Sequence, residues 1–303
     1  MGTERVIGVD LGGTKILAGV VDADGHLETR REHPTPLDSE NALLDGLAAA
    51  VHELLDDRVA ALGFGIPSTI DQRAGRAITS VNIPLAGVDL RARMAERFGM
   101  PTAIENDANA AALAEWKVGA GRGTTHMVML TLGTGIGGGL ILDGRLYRGT
   151  VGAAGELGHI VIEHDGPRCQ GTCTGHGHLE AVASGHAAST AAAELFGRGA
   201  DAHRLVRLAN EGDARAHEVL EQIGRRLGSG LGSLVNVFDP ELVVLGGGFA
   251  AAGELLLEPA RSVLVREALP PGRDRVRVVR AELGTAAGVV GAGLVAFEAL
   301  EAA

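Results

Sequence analysis

An α/β architecture of two related domains with a cleft between them is predicted here, and three observations carry that prediction. A hairpin unit with a glycine tip occurs twice, about 120 residues apart. In each half, strand patterns precede helical ones. A third apolar run, in the second half, also ends in a glycine turn, and 303 residues are enough to bury two cores of ordinary size.

The first unit runs Val6-Ile7-Gly8-Val9-Asp10 into Leu11-Gly12-Gly13-Thr14-Lys15, resumes over 16–21, and turns at Asp22-Ala23-Asp24-Gly25. A helix follows over 40–55, with polar residues at its start near Ser39 as a cap requires. A strand over 60–66 stops at Pro67-Ser68, and 89–98 reads as a short helix. The strand 102–104 empties into Glu105-Asn106-Asp107, and a helix spans 108–118. Gly119-Ala120-Gly121-Arg122-Gly123 is the predicted hinge. The expected division is 1–119, completed by the C-terminal helix 287–303, and 120–286.

The second unit, Met127-Val128-Met129-Leu130-Thr131-Leu132, enters Gly133-Thr134-Gly135-Ile136-Gly137-Gly138-Gly139, resumes over 140–142, and turns at Asp143-Gly144. A loop-rich stretch covers 150–179. A helical pattern then extends to about 237, with glycines at 197, 212 and 224–232 read as punctuation. The run Leu242-Val243-Val244-Leu245 ends at Gly246-Gly247-Gly248. A helix over 251–267, a strand over 275–279 and a terminal helix over 286–300 complete the order.

Composition excludes several classes. A net charge of −11 and a pI near 5.5 argue against a nucleic-acid surface, and aromatics at 3% leave few platforms for stacking bases. No apolar run is read as approaching the ~18 residues that span a bilayer, and no signal-peptide region precedes the first strand. A cytoplasmic location is the default. The two cysteines share one histidine-rich loop, so a disulfide framework is not expected.

Glycine tips accept positive φ and let backbone N–H groups approach an anion, so two of them can close on a phosphate chain from opposite sides. Gly133 to Gly138 also satisfies G-x-G-x-x-G, but strand and turn follow it where a dinucleotide site needs a helix. No P-loop pattern is present. Asp10, ending a buried strand beside the first tip, suits Mg²⁺, usually through water; its plain alternative is a turn cap. Asp107, between strand and helix, can take a proton from a hydroxyl that attacks phosphorus. On residue type alone, a helix N-cap is the stronger reading of Asp107. The densest polar cluster runs from Gly155-Glu156-Leu157-Gly158-His159 to Cys169 and on to Glu180. Two thiols and up to three imidazoles within about twenty residues suit a tetrahedral Zn²⁺ closed to solvent.

These motifs, in this order, resemble the sugar kinases of the ROK family, in particular its bacterial glucokinases, within the actin-like ATPase and hexokinase superfamily. The resemblance rests on Asp10-Leu11-Gly12-Gly13-Thr14-Lys15, Glu105-Asn106-Asp107-Ala108-Asn109, the glycine stretch from Leu132 to Gly139, Gly155-Glu156-Leu157-Gly158-His159, and Val244-Leu245-Gly246-Gly247-Gly248. It implies two ribonuclease H-like domains and ATP- and Mg²⁺-dependent phosphorylation of glucose to glucose 6-phosphate. It implies that Asn106, Asp107, Glu156, His159 and Glu180 line the sugar pocket, with Gly65 and Asn82 nearby and Asp107 as general base. Gly12, Gly13, Thr14, Lys15, Thr134 and Gly135 would surround the phosphates, and Gly247 and Gly248 the adenosine. A dimer or tetramer is implied as well.

The metal loop departs from the family form C-x-C-G-x-x-G-C-x-E. Counted back from Glu180, His178 stands at the third cysteine, Cys173 at the second and Gly171 at the first. Cys169 can supply the missing thiolate by a longer loop. The expected ligands are His159, Cys169, Cys173 and His178, with His176 the rival for the last place. Ser68 stands where glycine commonly follows the proline. Fructose, mannose, allose or N-acetylmannosamine as acceptor, and polyphosphate as donor, remain open. The family's transcriptional repressors carry an N-terminal helix-turn-helix, for which a strand starting by Arg5 leaves no room.

Overall fold

The computed structural model describes residues 4–80 and 83–301. Its strands are β1 (Arg5–Leu11), β2 (Lys15–Val21), β3 (Leu27–Pro34), β4 (Val59–Ile66), β5 (Ser68–Asp71), β6 (Arg76–Ser80), β7 (Thr102–Asn106), β8 (Met127–Leu132), β9 (Ile136–Leu142), β10 (Arg145–Leu146), β11 (Leu242–Gly246) and β12 (Arg277–Arg280). Its helices are α1 (Glu40–His52), α2 (Leu90–Phe98), α3 (Asp107–Val118), α4 (Leu179–Ala183), α5 (Gly185–Phe196), α6 (Ala202–Asn210), α7 (Ala214–Phe238), α8 (Glu254–Glu267), α9 (Gly272–Arg275) and α10 (Ala287–Glu301).

Two five-stranded sheets have the same strand order, β3-β2-β1-β4-β7 and β10-β9-β8-β11-β12. In each, a hairpin is antiparallel and the remaining strands run parallel to its first member. Strands buried on both faces explain the near-continuous apolar runs of β1, β4, β8 and β11. Parallel sheets present ligands at their carboxyl edges. Register places Asp10 beside Gly65 and Gly65 beside Glu105, while Gly246 lies beside Thr131.

Ser39 caps α1 by accepting from the Ala42 N–H at 3.1 Å. Helix α1 is shorter than expected, ending at His52. Asp89 stands at the N-cap of α2 but makes no cap bond there, because its carboxylate takes Arg76 at 2.6 and 3.0 Å.

Three expectations are corrected. The glycines at 224–232 do not interrupt α7, which runs unbroken for 25 residues. A Cβ at Gly224 or Gly228 would meet the backbone carbonyls of Leu256 or Ala260 on α8, so glycine here permits close helix packing. That contact offsets the roughly 1 kcal/mol a helical glycine costs. Residue 275, expected in a strand, ends α9, and β12 starts at Arg277. Finally, Gly284–Glu301 does have the length and mean hydropathy, 1.3, of a membrane span. It is a core helix here, since α10 packs on β1, β4, β7 and α3.

Candidate active site

Asn106 closes β7 and caps α3, its side-chain oxygen accepting from the Asn109 N–H at 3.0 Å. The cap that residue type assigned to Asp107 therefore belongs to its neighbour. Asp107 is left as the first helical residue, its carboxylate accepting from the Ala108 N–H at 2.8 Å. Burial pushes the Asp107 carboxyl above the usual carboxylate range; the Ala108 bond opposes this and the Glu156 charge adds to it. Asp10 is pushed up to about 7, by burial first and by Asp107 second, with Lys15 partly offsetting both.

A cavity of about 960 Å³ opens between the sheets. Asn106 and Asp107 line one wall, Glu156, His159 and Glu180 another, and Thr134, Gly135 and Gly247 the side toward the second glycine tip. Its size suits a sugar together with a phosphate chain. A second cavity of about 340 Å³ shares Gly133, Thr134 and His186 with it and includes Gly248. Asp201, His203 and Phe249 are among the other residues that line that second space. These three were missed in the sequence, where they sit near the starts of α6 and the turn after β11 without any motif of their own.

Gly12, Gly13, Thr14 and Lys15 are not among the residues lining either cavity. The Lys15 ammonium instead pairs with Glu32 at 3.1 Å on the neighbouring strand β3. Gly65 is close by, a Cβ there lying 3.8 Å from the Asp107 Cα. Asn82 lies outside the described residues. Ser68 lines the cavity while 4% exposed, and its hydroxyl has no hydrogen-bond partner among the described residues.

Glu180 does more than face the sugar space. Its Oε2 accepts from the Ile136 N–H at 2.9 Å, fixing the second tip, and the Cys169 thiol lies 3.6 Å from its Oε1. The ligand atoms of His159, Cys169, Cys173 and His178 all lie within 4.8 Å of one another, a spacing that fits one tetrahedral ion. The two Nδ1 atoms face each other at 3.1 Å. Burial pushes the Cys169 thiol up to about 12, a group a bound cation would ionise. His176 turns away, its Nδ1 lying 3.3 Å from the Gly166 carbonyl.

A half-buried carboxylate sharing a cavity with a glycine tip, between two sheets of like strand order, is the arrangement of a phosphotransferase of the actin-like ATPase fold. A sequence profile described as the ROK family matches residues 6–299. The glucokinase of Thermotoga maritima is 36% identical, over 97% of this chain and 98% of that one. The crystal structure of a ROK family glucokinase from Streptomyces griseus in complex with glucose and AMPPNP superposes with a TM-score of 0.85. It is 35% identical and covers 97% of this chain and 99% of that one. A ROK hexokinase from Thermus thermophilus is 40% identical with a TM-score of 0.83, covering 99% and 100%. The chain belongs to the ROK family and is one of its sugar kinases.

Proposed function

We propose that this kinase transfers the γ-phosphoryl group of ATP to the 6-hydroxyl of glucose, with Asp107 as general base. The observation that carries the reading is Asp107 itself, released from capping by Asn106, raised in pKa, and set in the wall of the large cavity. A carboxylate with a raised pKa is a stronger proton acceptor than an ordinary one. As the sugar oxygen bonds to phosphorus and the bond to ADP breaks, the hydroxyl proton passes to Asp107. Asn106, Glu156, His159 and Glu180 are read as the sugar contacts, flanked by Gly65 and Asn82.

The backbone N–H groups around Thr134 and Gly135 hold the phosphates from the second sheet, and Gly12, Gly13, Thr14 and Lys15 approach them from the first. Gly247 and Gly248 are assigned to the adenosine, for which the smaller cavity has room. That room favours a nucleotide over polyphosphate as donor. The two sheets act as lobes divided near residues 119 and 286, with α10 returned to the first.

Asp10 beside Asp107 is a carboxylate pair that suits Mg²⁺, whose charge would screen the phosphates. His159, Cys169, Cys173 and His178 suit a structural zinc ion, which would hold the loop carrying His159 and Glu180 without an open position for chemistry. Ser68 supports a second reading, a different hexose acceptor, because its side chain takes up space in the sugar wall where the family commonly has glycine. A coupled assay with ATP, polyphosphate and a hexose panel tests the proposal. Glucose should give the highest kcat/KM; ADP release that is equal with and without hexose would refute it.

A further inference from the structure

The geometry points to Arg148 as a positioning residue that locks the two walls of the sugar cavity together through Glu105. This inference rests on the sugar-kinase reading of the cavity. Glu105 precedes Asn106 in β7 and is 1% exposed, so its charge needs partners. Its Oε1 accepts from the Asn106 backbone N–H at 3.0 Å and from the side-chain amides of Asn109 and Gln72, each at 3.2 Å. Its Oε2 accepts from Arg148 Nε at 2.5 Å.

Arg148 comes from the other sheet, two residues beyond β10. Its Nη2 also reaches Glu298 of α10 at 3.0 Å. The Arg148 carbonyl accepts from the Ala154 N–H at 3.2 Å, closing a short loop that leads directly into Gly155 and Glu156. One guanidinium thus holds the strand end bearing Asn106 and Asp107 and, through its own loop, the wall bearing Glu156.

The clasp has an electrostatic purpose. Asp107 and Glu156 line the same cavity as like charges; burial is the main cause that raises the Asp107 carboxyl and the Glu156 charge adds to it, which favours separation of the walls. Arg148 does not line the cavity, so its charge draws the walls together from behind without competing for the sugar. A planar fork suits this task better than an ammonium, because it serves two carboxylates at once.

A plain structural ion pair would affect stability alone, and the variants below separate the two roles. Arg148→Met should lower Tm, because Glu105 is left buried and unpaired. Arg148→Met combined with Glu105→Gln removes that lone charge and should recover most of the Tm. In the double variant the KM for hexose should still be raised about tenfold, with the KM for ATP within about twofold of wild type. Amide hydrogen exchange across 149–156 should rise in the same variant, and Arg148→Lys should restore only part of the hexose affinity. Exchange across 149–156 that matches wild type, or an unchanged hexose KM, would overturn the clasp. Failure of the sugar-kinase reading would show separately, as hexose-independent ADP release by the wild-type protein, and the exchange measurement would still decide the clasp.

Discussion

The glycine tip of the second sheet is gripped on several sides, whereas the tip of the first projects into solvent. At the second, Glu180 accepts from Ile136, Gly185 donates to the Gly133 carbonyl at 2.9 Å, and His186 donates to Thr134 at 3.1 Å. At the first, the Gly12 N–H bonds within its own hairpin, to Lys15 at 2.9 Å, and Thr35 bonds to Gly12 and Thr14. The same local motif is therefore tied to α4 and α5 in one half and, apart from Thr35, left exposed in the other. The proposed function reads this as a division of labour, with the reacting carboxylate from the first half and most of the grip on the reactants from the second.

The largest expected effect tests the chemical side of that division. Asp107→Asn removes the proton acceptor at constant size and should lower kcat by roughly 10²- to 10⁴-fold, with hexose KM little changed. A loss carried by KM instead would show that the first half binds rather than reacts. On the holding side, Cys173→Ser should lose zinc by elemental analysis and raise the hexose KM by about 10- to 100-fold. The KM for ATP should barely move, and zinc-free protein with full hexose affinity would break the comparison.

A smaller pair of effects compares the tips directly. A Cβ at Gly135 would collide with the Glu180 carboxylate, while one at Gly13 meets nothing within 4 Å. Gly135→Ala should raise the hexose KM several-fold, whereas thermal unfolding of Gly13→Ala should stay within about 0.5 kcal/mol of wild type. Equal disturbance by the two would erase the asymmetry.

The smallest effect is on pH. Burial and Glu156 both raise Asp107, so kcat should fall as pH drops through a pKa lying above the ordinary 3.8. Glu156→Gln removes the smaller of the two causes and should move that acid limb to lower pH. A limb that stays or moves upward would show that the walls do not interact as charges.

Elements whose own side chains report their surroundings were legible in the sequence. Both hairpins, α1, α3, β11 and α10 follow from apolar patterning and from Gly or Ser at their ends. Strand β3 was missed because it lies at a sheet edge, where Glu28, Arg30, Arg31 and Glu32 are exposed and leave no apolar alternation. The β5–β6 hairpin that carries Ser68 was missed because each strand is only four or five residues long. In the candidate site, the cysteine and histidine loop stood out by residue type, and Asn106, Asp107, Glu156 and His159 were marked as sugar-pocket residues by the family resemblance. Glu105 and Arg148 did not, since their pairing spans 43 residues and leaves no local mark.

Local chemistry, then, was enough for the class of fold, the glycine tips, the carboxylates and the metal-type ligands, because each of these is written within a few neighbouring residues. Whether the glycines of α7 break or pack it, and what a membrane-like helix buries itself against, were set by contacts distant in the chain. The physical reason is the same in each case. An opposing backbone or a nearby charge acts through space, and its effect on Gly224 or Asp107 exists only once α8 has packed on α7 or Glu156 has come near α3.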